Sequence, residues 1–101
     1  MPSGNLPKDN SGQPIPVLRP ENTQQVAYTD SAATSSAVGS KVRAVRLVST
    51  TNCFVAFGAT ADTNDMPLIA NVPESFAVNP GETISAIREA TDGTLYVTEL
   101  S

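Results

Sequence analysis

The residues that could do chemistry are few, and their spacing organises none of the common reactions. The chain contains no histidine, so the most frequent general base and a frequent metal ligand are both missing. Serine and threonine are abundant, but a hydroxyl nucleophile needs an adjacent base. Lysine could take that role, yet Lys8 sits in a proline-rich leader and Lys41 belongs to no Ser-x-x-Lys motif. Cys53 lies within the apolar run Cys53-Phe54-Val55-Ala56-Phe57. It reads as a small buried hydrophobe rather than a reactive thiol, which wants an exposed, electropositive setting. As the only cysteine, it leaves no disulfide within the chain.

The acidic residues are as uncommitted. Asp62-Thr63-Asn64-Asp65 gathers oxygen donors of the kind that bind calcium. It lacks the glycine and closing glutamate of an EF-hand loop, and a solvated loop is the simpler reading. Glu74, Glu82, Glu89 and Glu99 could supply a glycosidase-like carboxylate pair. All four flank turns or strand ends, however, where charge serves solubility. With no Trp, two Tyr and three Phe, the chain has little with which to stack a sugar. No glycine-rich phosphate loop is present. The expectation is a non-enzymatic chain without metal or cofactor, one that works by binding.

The elements that would position a binding surface fall into two regions of different composition. Residues 1–23 hold five prolines in their first twenty positions, together with Gly, Asn, Ser and Asp. Proline removes backbone donors and biases its predecessor toward extended geometry, so this segment suits neither a helix nor a central strand. Its stretch Ile15-Pro16-Val17-Leu18-Arg19-Pro20 is apolar, stiff and extended. Such a strap buries Ile15, Val17 and Leu18 on another surface at low entropy cost. The plainer alternative is a disordered leader with no role.

Residues 24–101 carry short runs rich in Val, Ile, Phe and Thr, punctuated by turn residues. Strands are expected near 24–28, 41–49, 52–58, 67–70, 74–78, 82–89 and 94–100, and no run has the length and period of a helix. Asn79-Pro80-Gly81-Glu82 suits a type II turn, with Pro and Gly at its centre. Thr91-Asp92-Gly93-Thr94 carries the short-hairpin signal, and Thr50-Thr51-Asn52 reads as a tight reversal. The Ser31–Ala37 stretch, small and polar, reads as a loop or a place of close packing. Seven short strands at this spacing predict an all-β fold: a small antiparallel β-sandwich or jelly-roll-like barrel with an extended N-terminal arm.

Alternation assigns the faces. Val45 and Leu47 share one side of their strand; so do Cys53, Val55 and Phe57, Ile84 and Ala86, and Leu95 and Val97. Phe54, Ile87, Tyr96 and Leu100 then point the other way and ask for cover. In so small a chain, that two-sided character hints at a subunit interface. A domain of this size has a thin margin of stability, and assembly is one way to widen it.

Charge narrows the choice of partner. Ten acidic against six basic side chains give −4, and the cations are scattered, which argues against nucleic acid. Lys41, Arg43 and Arg46 form the only loose group, read as the solvent or interface side of a strand rather than a phosphate site. No apolar run approaches the roughly 20 residues that span a bilayer, and the start of the chain does not read as a secretory signal. A cytosol-like compartment is expected.

These features together resemble small virion proteins from the structural-gene regions of tailed bacteriophages and prophages. The resemblance rests on a Pro/Gly-rich leader ending in Pro16-Val17-Leu18-Arg19-Pro20, and on the following Ser/Ala/Thr stretch. It continues through Val45–Ala59, Val72-Pro73-Glu74-Ser75-Phe76-Ala77-Val78, Pro80-Gly81-Glu82 and Gly93–Leu100. It covers most of residues 24–101 and, more loosely, the leader. It is a pattern of turns and β-runs, not a catalytic signature. What it implies is a capsid decoration (cement) protein on the outside of the virion, assembled in the host cytoplasm. Its partner would be the major capsid protein, with self-association as a trimer or dimer. A neck or tail position is a variant of the same expectation. A carbohydrate-binding or host-attachment module on the same sandwich is the alternative. On physical grounds, the residues expected to touch the partner are Ile15, Val17, Leu18 and Arg19.

Overall fold

Period-two apolar patterning needs a sheet with one dry face, and two such sheets satisfy each other by packing face to face. The computed structural model, which describes residues 18–101, does this with eight strands and, among the described residues, no helix. They are β1 (Pro20–Tyr28), β2 (Ala33–Thr34), β3 (Ala44–Ser49), β4 (Cys53–Phe57), β5 (Met66–Leu68), β6 (Glu74–Ala77), β7 (Ile84–Arg88) and β8 (Gly93–Leu100). One antiparallel sheet has the order β1-β8-β3-β6, the other β2-β7-β4-β5.

These two orders describe one object. The pairs β1–β8, β2–β7, β3–β6 and β4–β5 are the rungs of a single long antiparallel ribbon. Rolling that ribbon brings β8 against β3 and β7 against β4, which completes both sheets. This is the eight-stranded jelly roll. The expected all-β sandwich is therefore present, in its jelly-roll form.

The faces follow the alternation. Val45 and Leu47 of β3 and Leu95 and Val97 of β8 are buried in one sheet. Cys53 and Val55 of β4 and Ile84 and Ala86 of β7 meet them from the other. Val26, Tyr28 and Leu68 close the sides of this core. Each large apolar side chain so buried contributes about 1.5–3 kcal/mol. Phe57 and Phe76 cap one flank, with ring centroids 5.5 Å apart in a tilted pair.

Four sequence expectations need correcting. First, β1 begins at Pro20 and so takes in residues that composition assigned to the leader. Proline is acceptable there because β1 is an edge strand and Pro20 is its first residue. Second, an eighth strand, β2, lies inside the Ser31–Ala37 stretch; two residues of Ala and Thr leave no periodicity to read.

Third, the Asp92-Gly93 turn does not make a hairpin. It carries the chain from β7 in one sheet to β8 in the other, and Thr50-Thr51-Asn52 does the same from β3 to β4. Turn residues specify a change of direction, not which sheet receives the next strand. Among the described residues, only β4 and β5 are both consecutive and paired. Fourth, the strands from β3 to β7 are each shorter than the run expected for them. Lys41 and Arg43 precede β3, where Val42 N–H closes a turn onto Gly39 O at 3.1 Å.

The turn at Asn79-Pro80-Gly81-Glu82 is as expected. Gly81 has φ +80°, and Glu82 N–H donates to Asn79 O at 3.0 Å. Gly93 is required for a different reason. A Cβ there would run into the Tyr28 hydroxyl and the hydroxyls of Thr50 and Thr51.

Candidate interaction surface

Several of the reactive groups singled out in the sequence are drawn into structural roles. Cys53 is 1% exposed, and burial pushes its thiol above the ordinary value of 9.0. A thiol in that state is a poor nucleophile. Beside it, Ser49 Oγ is buried without an oxygen or nitrogen partner, leaving the weakly bonding thiol as its polar neighbour. The Tyr28 hydroxyl donates to Thr51 O at 2.8 Å, and burial raises its pKa above 10.0.

The Asp62–Asp65 carboxylates turn onto their own backbone. Asp62 N–H donates to Asp65 Oδ2 at 2.8 Å, and Asn64 N–H donates to Asp62 Oδ1 at 2.8 Å. This is the Asx-turn chemistry of a self-capped loop. Glu82 Oε1 accepts from Asn79 N–H at 3.1 Å, and Glu89 Oε1 accepts from Asn52 Nδ2 at 3.3 Å. Among the described residues, no cluster of three His, Cys, Asp or Glu forms, and no cavity opens.

The Ser/Ala/Thr stretch is explained by packing. Ser35 Oγ accepts from Ile84 N–H at 3.0 Å. From β7, Ser85 Oγ donates to Ala33 O at 3.1 Å and accepts from Ala61 N–H at 2.9 Å. These hydroxyls let β2, β7 and the β4–β5 loop approach closely. Gln24 adds a stitch between the sheets. Its amide donates to Ser36 O at 3.1 Å and accepts from Ser36 N–H at 2.8 Å, standing in for one rung of a ladder.

What remains is the surface. Of the four residues expected to meet a partner, Ile15 and Val17 lie outside the described residues. Leu18 is 46% exposed. Arg19 is tethered through its backbone: its N–H donates to Ser101 O at 2.9 Å, and Ser101 N–H donates to Arg19 O at 3.0 Å. Leu18 is thus held at the mouth of the β1–β8 ladder, with its side chain in solvent.

Phe54, Ile87, Tyr96 and Leu100 are each half-buried rather than exposed, and they divide between the two outer faces. Phe54 and Ile87 are cross-strand neighbours on one face; Tyr96 lies between Gln25 and Val48 on the other. Arg46 points outward from β3, flanked in register by Thr98 and Ser75. The one salt bridge among the described residues, Arg88–Asp92 at 2.7 Å, is exposed and adds little.

No known family, curated protein or solved structure matches this chain.

Among the described residues, three large apolar side chains besides Leu18 are exposed. Met66 is 38%, Ile69 52% and Val72 47% exposed. They belong to β5 and the loop that crosses from β5 to β6, at the edge of the roll opposite β1. The loop is firmly built. Val72 N–H donates to Ile69 O at 3.3 Å, and Asn71 sits at φ +63°, as the third position of a type II turn requires. Asn71 N–H also donates to Ser49 O at 2.8 Å, and Ala70 N–H donates to Asn52 Oδ1 at 2.8 Å. Ile69 and Val72 therefore flank a fixed corner. A sequence signal was present: residues 66–73, Met-Pro-Leu-Ile-Ala-Asn-Val-Pro, are uncharged between Asp65 and Glu74.

Proposed function

We propose that this chain is a phage capsid decoration protein that binds the outer surface of the shell and staples major capsid protein subunits. The observation that carries this reading is the launch point of the leader. Arg19 is fixed to Ser101 at the end of an edge ladder, and Leu18 beside it is apolar and open. A segment anchored at one end and rich in proline loses little entropy when it is laid on a neighbour. The seventeen residues before Leu18 could extend about 60 Å.

The mechanism is mechanical. Packed DNA pressurises a shell, and the junctions between subunits are where it yields. A roll seated on one subunit, with its leader across the junction, adds buried area where separation would begin. Many copies, each contributing a modest contact, act together through multivalency. Ile15, Val17, Leu18 and Arg19 are the residues assigned to that contact.

The test is co-sedimentation of the purified chain with expanded capsids. The full chain is expected to pellet with capsids, and a chain lacking residues 1–17 to do so at least about tenfold more weakly. The truncation stops at residue 17 because Pro20–Thr23 belong to β1. Equal binding by both would remove the leader's role. Absence of binding by the full chain, with capture on a glycan array through loop 59–66, would favour the carbohydrate-binding reading instead.

A further inference from the structure

We infer that the free edge of β1 is a dimerisation surface, on which β1 of a second copy of this chain lies antiparallel across a two-fold axis at Gln25. The edges of the two sheets are unequal. β2, β5 and β6 are edge strands of two, three and four residues, too short to offer much of a ladder. β1 is an edge strand as well but runs for nine residues, with Glu21 as its only charge. The neighbouring edge of the other sheet is covered at Ser36, whose N–H and C=O are both taken by the Gln24 amide.

The register shows which backbone groups β1 turns outward. Residues facing each other in an antiparallel pair alternate between exchanging two hydrogen bonds and exchanging none. Arg19 and Ser101 exchange two, so Ser101 turns toward β1. Counting back along β8 by twos, Val97, Leu95 and Gly93 turn the same way. Thr94 turns to the other side, where its C=O accepts from Thr50 N–H at 3.0 Å. The partners of the first set, Gln24, Val26 and Tyr28, therefore carry the β1–β8 bonds. Thr23, Gln25 and Ala27, opposite Thr98, Tyr96 and Thr94, point their N–H and C=O groups away from β8. Among the described residues no strand pairs with that side of β1, and all three residues are exposed. An open row of alternating donors and acceptors is a template for another strand.

A second copy fits because this row is complementary to itself. With the two strands antiparallel about Gln25, Thr23 faces Ala27 of the second copy and Gln25 faces its own counterpart. Every pair then joins two outward-turned residues, giving about six hydrogen bonds. Sliding the copies by two residues keeps only two of the three pairs. Sliding by one sets outward-turned residues against residues already bonded to β8. No residue from Asn22 to Thr29 is charged, so no like charges meet across the axis. On the outer face, Tyr96 lies beside Gln25 in each copy, which extends the uncharged contact. The two β1-bearing sheets join edge to edge in an isologous, closed dimer.

The test is done in solution, without capsids and with the leader intact, so its outcome is separate from that of the proposed function. The full chain is expected to dimerise in sedimentation velocity. As concentration rises, the amides of Thr23, Gln25 and Ala27 are expected to become protected from hydrogen exchange. Those of Gln24, Val26 and Tyr28 are expected to be protected at every concentration. Gln25→Pro removes an outward donor from an edge position, where proline is tolerated, and is expected to weaken association at least about tenfold. Gln25→Glu and Gln25→Lys oppose like charges only if residue 25 faces its own counterpart. Each alone is expected to associate more weakly than the full chain, and an equimolar mixture to recover a dimer containing one of each. Should Gln25→Pro fail to fold by circular dichroism, the charge pair decides. A monomeric full chain, protection that does not reach Thr23, Gln25 and Ala27, or a mixture no better associated than its parts would each overturn the inference. So would undiminished association of a folded Gln25→Pro, which would move the contact to another surface, such as the Ile69–Val72 corner or the leader.

Discussion

Tyr28, Thr51 and Gly93 meet at one end of the core. The Tyr28 hydroxyl donates to Thr51 O and accepts from Thr51 N–H at 3.3 Å, in space that the missing Cβ of Gly93 leaves open. Cys53 lies in the same region, and burial favours the neutral form of both acids. Their folded values exceed the unfolded ones, 9.0 for the thiol and 10.0 for the phenol. The folded state therefore holds these protons more tightly than the unfolded chain does. That contribution is complete below the unfolded values and is lost as pH rises from there through the folded values. Urea midpoints are expected to fall in the window that opens at the unfolded thiol's 9.0 and runs upward past the phenol's 10.0, and to fall less steeply in Cys53→Val and Tyr28→Phe. Midpoints level across that window, or equally steep in both variants, would show that these groups are not responsible. The burial of Cys53 is readable from its apolar neighbours; its meeting with Tyr28, distant in sequence, is not.

At the scale of elements, the roll has to be held where its two sheets come together. Gln24 on β1 does this by pairing both polar ends of its amide with the backbone of Ser36. Alanine there leaves both Ser36 groups without that partner. Stability is expected to drop by about 1 kcal/mol, and the Ser36 amide to exchange faster with solvent. Unchanged exchange at Ser36 would mean that the stitch is not used in solution.

Strand identity was legible because Val45/Leu47, Cys53/Val55 and Leu95/Val97 alternate cleanly, and Pro80-Gly81 declares its turn. Sheet membership was not. Asp92-Gly93 reads as a hairpin but joins strands in different sheets, because local turn chemistry carries no record of which ladder the next strand will enter. Ile69 and its neighbours at 67–70 read in the sequence as one more strand. Only the turn at Asn71 and the anchor to Ser49 reveal that Ile69 and Val72 point outward.

The whole molecule is a ribbon whose outer rungs join distant parts of the chain; Thr23 and Thr98, bonded at 3.0 Å, are 75 residues apart. Closing such a loop costs entropy before any contact repays it. Refolding is expected in the millisecond-to-second range typical of all-β domains, and a stopped-flow trace complete within about 100 μs would contradict that picture. The strap is not needed for this process, since the described roll carries its own core. Removing residues 1–17 should leave the refolding rate unchanged.

The tether between Arg19 and Ser101 has one more consequence. It sets the last residue of the roll beside the first, close enough for a short linker to join them. The exposed turn at Pro80–Gly81 could then serve as the new start and finish, leaving every strand pairing in place. Such a circularly permuted chain would keep the sandwich but carry no free leader, dividing what the compact body does from what its strap does.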